Sequence, residues 1–123
     1  MCIRDRIFSE VLTAAGADRV RGFATDVSNY DVVTAAPGTA PMPGNPCVDE
    51  TTYTQKLSDS LAKVGVTGKT FLIDTSRDGV ALSTDNWCNI KGAGLGERPK
   101  ASPAPGIDAY YWIKPPGLSL IHI

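Results

Sequence analysis

Carboxylates are the side chains of this sequence best suited to proton chemistry. Six aspartates lie in or beside the segments that we predict to be strands and their following loops: Asp26, Asp31, Asp74, Asp78, Asp85 and Asp108. Hydrolysis of a glycosidic bond generally needs two carboxyl groups, one that donates a proton and one that activates water or attacks carbon. Spacing alone does not show which two face each other. For each aspartate singly, a cap or a turn hydrogen bond is the commoner role.

Trp87 is the aromatic residue most suited to binding a ligand. It follows a polar run at residues 83–86 that offers little core to pack against. An indole ring can stack on the apolar face of a sugar ring, whose hydroxyls need polar partners. Core packing is the alternative, and we expect it for Trp112 and for one of its neighbours Tyr110 and Tyr111.

Residues 92–96 read Gly-Ala-Gly-Leu-Gly and superficially suggest a phosphate-binding loop. A dinucleotide site needs a strand directly before such a loop and a helix directly after it. Here Glu97-Arg98-Pro99 follows the glycines, and the proline stops a helix. We therefore expect a shaped loop, with a nucleotide-binding α/β domain as the weaker alternative.

The two ends of the chain share an unusual relation. Residues 1–6 can be encoded by a short DNA element whose reverse complement encodes residues 118–122 and the start of the codon for Ile123. This element is similar to the transposon end used in preparing sequencing libraries. We therefore treat residues 1–6 and 118–123 as translated adapter and exclude them from the fold prediction.

That exclusion removes Cys2 and the single histidine, His122, and leaves Cys47 and Cys88. Neither a Ser-His-Asp or Cys-His mechanism nor a zinc site of histidine and cysteine can be built from residues 7–117. We expect no metal and no cofactor.

Composition excludes further classes of function. The 123 residues carry a formal net charge of -1, which gives no electrostatic case for nucleic acid or an anionic membrane. No apolar run approaches the roughly 20 residues that span a bilayer, and no signal peptide is visible. The length suits one small domain or part of a larger one.

Hydrophobic periodicity predicts helices alternating with strands. We predict a first helix at 7–15 and a second helix capped by Asp49. The apolar face of the first consists of Phe8, Val11, Leu12 and Ala15, and that of the second consists of Tyr53, Leu57, Leu61 and Val64. We also predict strands at 21–27, 70–74 and 107–113, and loops at 32–46 and 79–106. This order favours a parallel sheet in an α/β layout. Polar residues at the strand ends (Asp26, Asn29, Asp74, Lys114) fit a barrel with its site at the carboxyl edge, although about three strands are too few to close one.

Five segments, in chain order, resemble glycoside hydrolase family 6, the inverting β-1,4-endoglucanases and cellobiohydrolases: RGFATDVSNYD, NPCVDETTY, FLIDTSRDG, NWCNIKGAGLGERP and IDAYYWIKPPG. The GAGLGERP and WIKPPG forms are most similar to bacterial members. The resemblance covers residues 7–117 and implies part of a distorted, incomplete parallel β/α barrel (TIM-like). It implies an extracellular enzyme that hydrolyses cellulose with inversion, binding β-1,4-glucan as its partner.

The resemblance also implies the substrate-binding residues. Asn29, Trp87 and Lys114 match family positions that contact glucosyl units. The family cysteine that matches Cys88 usually forms a disulfide with a cysteine beyond the matched segment, while a bridge between Cys47 and Cys88 stays open as an alternative.

Both catalytic carboxylates of the family fall outside residues 7–117. The general acid belongs to a strand motif that precedes the segment, and the places of the base motif hold Leu118, Ser119 and Leu120. None of these three accepts a proton at neutral pH. We therefore predict that the chain alone is inactive. A non-catalytic carbohydrate-binding protein that uses Trp87 is the alternative.

Overall fold

The computed structural model describes residues 3–41, 46–81 and 90–117. In chain order, the described elements are helix α1 (Ile3–Ala14), a 3₁₀ helix (Ala17–Arg19), strand β1 (Gly22–Thr25), helix α2 (Glu50–Lys63) and strands β2 (Thr70–Asp74), β3 (Lys100–Ala104) and β4 (Ile107–Tyr111). None of the helices in these ranges is long and apolar enough to cross a membrane.

The strands form one mixed sheet in the order β1-β2-β4-β3. The pairs β1–β2 and β2–β4 are parallel, whereas β3 is antiparallel to β4. The predicted α/β layout with a mainly parallel sheet is therefore confirmed. The predicted loop at 79–106 is wrong at β3, because that strand lacks an apolar alternation and contains Pro103. It forms as an edge strand, where a missing backbone donor is tolerated.

Helix α2 follows the predicted pattern from its first residue. Asp49 is the N-cap, with extended backbone and a side-chain Oδ1 that accepts a hydrogen bond of 2.7 Å from the Thr52 amide. Leu57 and Leu61 are fully buried, as the helical spacing predicts. This cap supplies one of the acceptors that the first turn of a helix otherwise lacks.

The core lies between one face of the sheet and the helices. Phe71 and Ile73 of β2 and Ile107 of β4 pack in one buried cluster with Leu57 and Leu61 of α2. These side chains bury apolar surface at roughly 25 cal/mol per Å², the main favourable contribution to folding. Leu12 of α1 packs against the same cluster.

Helix α1 departs from the prediction in its start and in its buried face. It begins at Ile3 and ends at Ala14, before Gly16, whose φ of 89° lies in the left-handed region. Phe8 and Val11 are exposed at 43% and 57%. The predicted apolar face is therefore only partly buried against this part of the molecule.

Two strands end earlier than predicted because polar contacts redirect the chain. Strand β1 ends at Thr25, since Asp26 adopts a φ of 55°, outside the strand region. Strand β4 ends at Tyr111, and the amides of Ile113 and Lys114 turn to the Asp74 carboxylate instead of a neighbouring strand.

Candidate functional site

The carboxyl ends of the three parallel strands meet at Asp74. This residue ends β2 and is only 1% exposed. Its Oδ1 accepts hydrogen bonds from the amides of Ser76 (3.1 Å) and Ile113 (3.2 Å). Its Oδ2 accepts from the amides of Ser28 (3.1 Å) and Lys114 (3.0 Å). One buried carboxylate thus holds the segments that follow β1, β2 and β4, and hydrogen bonds to a charged acceptor are the stronger kind.

Two predicted substrate-binding residues are brought together by this arrangement. The amides of Ser28 and Lys114 donate to the same Oδ2 atom, so the backbone before Asn29 lies close to that of Lys114. The Asn29 side chain is exposed, and its Nδ2 donates a 2.9 Å hydrogen bond to Asp31. Asn29 and Lys114 therefore belong to neighbouring loops at the carboxyl edge of the sheet.

Arg77 holds the segment that contains Asn29 against the segment that follows β2. Its guanidinium lies over the ring of Tyr30, 4.4 Å from the centroid, and its Nη1 donates a 3.0 Å hydrogen bond to the Tyr30 hydroxyl. Its Nη2 donates to the carbonyl of Ser28. The Tyr30 hydroxyl also accepts a 3.4 Å hydrogen bond from the amide of Ile90. Arg77 therefore ties two segments of the candidate site together.

The third predicted substrate-binding residue, Trp87, lies outside the described residues, as do Cys88 and Asp85. Their predicted roles stay predictions. Cys47 is buried. Of the other aromatics, Tyr110 packs against the core as predicted, while the half-buried Trp112 donates its indole N–H to the Glu97 carbonyl at 2.9 Å.

The glycine-rich loop at 92–96 packs against the segment after β2. The amide of Gly79 donates to the Gly94 carbonyl, and the amide of Gly96 donates to the Thr75 carbonyl, each at 3.1 Å. A Cβ atom on Gly96 would lie 2.5 Å from the Thr75 carbonyl oxygen and 1.5 Å from Asp78 Oδ1. No helix follows within residues 90–117. The loop therefore has the shaped, close-packed role that the sequence favours over nucleotide binding.

Three carboxyl groups come together beside the end of β1. One oxygen from each of Asp26, Asp31 and Glu50 lies within 4.8 Å of the others, and we call these residues the acidic cluster. Burial, followed by repulsion from Glu50 and Asp31, raises the pKa of Asp26 to about 10. Burial raises the pKa of Glu50 to about 7, and the neighbouring Thr25 hydroxyl opposes that rise. Burial also raises the pKa of Asp31.

Asp108, by contrast, lies at the amino edge of the sheet. Its carboxylate accepts from Arg21 Nε (2.6 Å) and Nη2 (3.0 Å) and from the Thr70 hydroxyl (2.8 Å). The Arg21 hydrogen bond, followed by that of Thr70, lowers the pKa of Asp108. Asp108 is therefore a surface ion-pair residue and not part of the candidate site.

A cavity of about 600 Å³ lies beside the site, between the segments that follow β1 and β2 and the end of the glycine loop. Asp78 and Glu97 contribute carboxylates to its lining, and Arg98 and Lys100 contribute cationic groups. Its size is in the usual range for ligand pockets. Neither Asn29 nor Lys114 lines it, so these two predicted substrate-binding residues lie elsewhere.

Asp78 gives a pH-dependent prediction. Burial, followed by repulsion from Asp74 and Glu97, raises its pKa from 3.8 to about 6. The folded chain therefore binds this proton more tightly than the unfolded chain, and the free energy of unfolding falls as pH rises through the range between these two values. We expect Asp78→Asn to remove part of this fall, measured by urea denaturation of the chain at about pH 4 and about pH 7.

The exposed Asp59, which accepts a 3.0 Å hydrogen bond from Gln55, provides the control. Asp59→Asn is expected to leave the pH dependence of unfolding unchanged. An unchanged slope in Asp78→Asn would contradict the assignment of this proton.

Sequence reasoning missed the roles of Asp74, Arg77 and Glu50. Asp74 was only one of several polar residues at strand ends, and its position directly after a buried strand is the signal that singles it out. Arg77 gives no comparable signal, because its partner Tyr30 lies 47 residues away in the chain. Glu50 follows an N-cap, where a carboxylate is ordinarily a favourable neighbour of the helix dipole.

Comparison with known proteins points to one enzyme family. The family model described as glycosyl hydrolases family 6 matches residues 3–119. The chain is 36% identical over 117 residues to Exoglucanase 3 of Agaricus bisporus, covering 91% of this chain and 26% of that protein. It is 38% identical over 109 residues to Endoglucanase A of Cellulomonas fimi, covering 88% of this chain and 20% of that protein.

Solved structures match as well. The structure of cellobiohydrolase II (Cel6A) from Humicola insolens, in complex with glucose and cellotetraose, superimposes with a TM-score of 0.76 at 32% identity, covering 94% of this chain and 33% of that chain. The present chain thus spans about a quarter of the length of the Agaricus relative and about a third of the Humicola structure.

Proposed function

The chain belongs to glycosyl hydrolase family 6, and from this premise we propose that it is part of a catalytic domain that hydrolyses β-1,4-glucosidic bonds in cellulose with inversion of configuration. Relatives with both exoglucanase and endoglucanase names support the substrate class. The proposal assigns residues 7–117 to that domain, and residues 1–6 and 118–123 to translated adapter. We propose that the sheet is part of a distorted β/α barrel of the whole enzyme, which is secreted.

The observation that carries this proposal is the position of the Asp74 carboxylate. Through one buried oxygen it holds the backbone of Ser28 and Lys114, so that Asn29 and Lys114 belong to the same edge of the sheet. The carboxyl edge is where parallel α/β sheets bind their ligands. In the proposed site an amide and an ammonium group bind glucosyl hydroxyls, and the Trp87 indole stacks on a pyranose face.

The chemistry itself needs two further carboxyl groups. In an inverting glycosidase a general acid protonates the leaving oxygen, while a base roughly 6.5–9.5 Å away activates water on the opposite face of the sugar. Residues 7–117 are proposed to supply binding and not these two groups. We therefore expect the chain alone to hydrolyse no glucan. The Cys88 disulfide to a further cysteine belongs to the same proposal for the whole enzyme.

A chimera tests the proposed function. Residues 7–117 replace the matching segment of the Humicola insolens cellobiohydrolase, which supplies the carboxyl groups that this segment lacks. We expect the chimera to hydrolyse cello-oligosaccharides, with the α anomer as the first product detected by proton NMR. A folded chimera that binds cellotetraose but releases no product would favour the non-catalytic carbohydrate-binding alternative. A folded chimera that does neither would overturn both.

Lys114 provides the sharpest test within the proposed site. In the chimera, Lys114→Ala is expected to lower kcat/KM for cello-oligosaccharides by about 10–100-fold, because a hydrogen bond from a charged group contributes about 1.5–3 kcal/mol. The measurement is steady-state hydrolysis of soluble cello-oligosaccharides.

Lys100 is the matched control, because it is exposed on the edge strand β3. Lys100→Ala is expected to change kcat/KM by less than about twofold, as surface changes usually do. Equal losses in the two variants would remove Lys114 from the proposed site.

A further inference from the structure

The acidic cluster is the feature that the proposed function leaves unused. Asp26 follows β1, Asp31 lies five residues later, and Glu50 is the first residue of α2. The amide of Asp31 donates a 3.3 Å hydrogen bond to Asp26 Oδ1, which fixes the turn between them. The amide of Glu50 donates a 3.0 Å hydrogen bond to the Val32 carbonyl, which holds the helix start against the same segment.

Buried oxygen atoms without hydrogen-bond partners lie in the cluster and beside it. Thr25, Asp26 and Glu50 are exposed at only 6%, 8% and 4%. Among the residues that the structure describes, Thr25 Oγ1, Asp26 Oδ2 and Glu50 Oε2 make no hydrogen bond. The Thr25 hydroxyl neighbours the Glu50 carboxyl. A hydroxyl is not acidic, so its lack of a partner is an observation independent of the carboxylates. A buried polar atom without a partner costs about 1–3 kcal/mol.

The carboxyl groups of the cluster also lack cationic partners among most of the described side chains. Lys114 apart, no lysine or arginine within residues 7–41, 46–81 and 90–117 forms an ion pair or hydrogen bond with these three carboxyl groups. Buried charges in proteins are normally paired or coordinate a metal ion. The Asn29 side chain donates its hydrogen bond to Asp31.

We propose that Asp26, Asp31 and Glu50, together with the Thr25 hydroxyl, bind a divalent cation that prefers oxygen ligands, such as Ca²⁺ or Mg²⁺. Carboxylate and hydroxyl oxygens suit these hard cations, whereas zinc and copper sites generally use histidine or cysteine. Oxygens within 4.8 Å of one another can surround a calcium ion at roughly 2.3–2.6 Å, whereas magnesium at roughly 2.0–2.1 Å would require the oxygens to lie closer together. Asp31 is the least buried of the three carboxylates and opens the site to solvent.

A bound cation would link β1, the segment after it and helix α2 at one point. It would fix Asp31, which accepts the hydrogen bond from the side chain of Asn29. The cation would thereby stabilise the segment that carries Asn29, a proposed sugar-binding residue, without contacting the sugar itself. Binding of the cation does not require the proposed hydrolysis, so an experiment can contradict one of these two proposals and leave the other standing.

Calorimetry with the metal alone tests this site. The full 123-residue chain, freed of metal with a chelator, is titrated with CaCl₂ and separately with MgCl₂, and the same titrations are made on the chimera. We expect one equivalent of at least one cation to bind and to raise the Tm. Glu50→Gln is expected to abolish binding, and Asp31→Asn, at a partly exposed position, is expected to weaken it at least tenfold.

Asp108→Asn is the control, because Asp108 is a carboxylate outside the cluster at the amino edge of the sheet. The Asp108→Asn variant is expected to bind the cation with the same affinity as the unaltered chain. Two results would overturn the proposal. One is the absence of binding of both cations by chain and chimera up to about 10 mM, above the ~1 mM of weak extracellular sites. The other is undiminished binding by both Asp31→Asn and Glu50→Gln.

Discussion

Asp74→Ala is expected to abolish cello-oligosaccharide hydrolysis by the chimera and to lower the free energy of unfolding by about 3–5 kcal/mol. The substitution leaves the amides of Ser28, Ser76, Ile113 and Lys114 without their acceptor, and of these four hydrogen bonds that of Ser76 is buried and the others are partly buried. Each buried donor that loses its partner costs about 1–3 kcal/mol. The loss of activity follows because the loops that carry Asn29 and Lys114 are no longer held together. Urea denaturation and steady-state hydrolysis measure the two effects.

A second substitution separates the role of charge from that of geometry. Asp74→Asn keeps one acceptor oxygen and replaces the other with an amide nitrogen, which cannot accept. We expect it to lose stability and activity to an intermediate degree. Asp59→Asn, at an exposed position on α2, is the control. Unaltered stability of Asp74→Ala would show that water replaces the carboxylate and that the site does not depend on it.

Arg77→Met is expected to have the second largest effect. It removes the hydrogen bonds to Tyr30 and Ser28 and the cation–π contact with the Tyr30 ring, while the apolar part of the side chain keeps much of its volume. A hydrogen bond from a charged donor contributes about 1.5–3 kcal/mol and a cation–π contact about 0.5–2 kcal/mol. We expect a stability loss of about 2–4 kcal/mol and a fall in kcat/KM of about 10–100-fold in the chimera.

The conservative variant Arg77→Lys tests whether the planar guanidinium is needed. Lysine keeps the charge but cannot place two nitrogens in the fixed geometry that contacts both Tyr30 and Ser28. We expect it to recover little of the lost activity. Arg98→Met, at an exposed position, is the control and is expected to match the unaltered chimera. Full recovery of stability and activity in Arg77→Lys would show that only the positive charge of Arg77 is required.

Local signals made some of the fold predictable from sequence. Strand β2 is a compact apolar run bounded by polar residues, and its predicted limits, 70–74, are those observed. The cap of α2 was predictable because Asp49 acts on its own first turn. Strand β3 was not predictable, because the sequence of Lys100–Ala104 has no apolar period and becomes a strand only by pairing with β4.

The candidate site was predictable in part. The positions of Asn29 and Lys114 at strand ends indicated the carboxyl edge of the sheet, whereas their proposed sugar-binding role came from matched motifs. The function of Asp74 depends on contacts with residues 39, 40 and 46 positions away along the chain. The acidic cluster depends on α2 returning to the end of β1. Such long-range contacts follow from the packing of the whole sheet, which periodicity does not describe.

The two edges of the sheet differ in their capacity to recruit another strand. On the β3 side, Pro103 lacks a backbone N–H, and the register shifts between Ala101 and Ala104. Both features discourage further pairing and protect an exposed edge from aggregation. The β1 side has no proline or register shift in Gly22–Thr25. A further strand would therefore meet fewer obstacles to pairing beside β1 than beside β3.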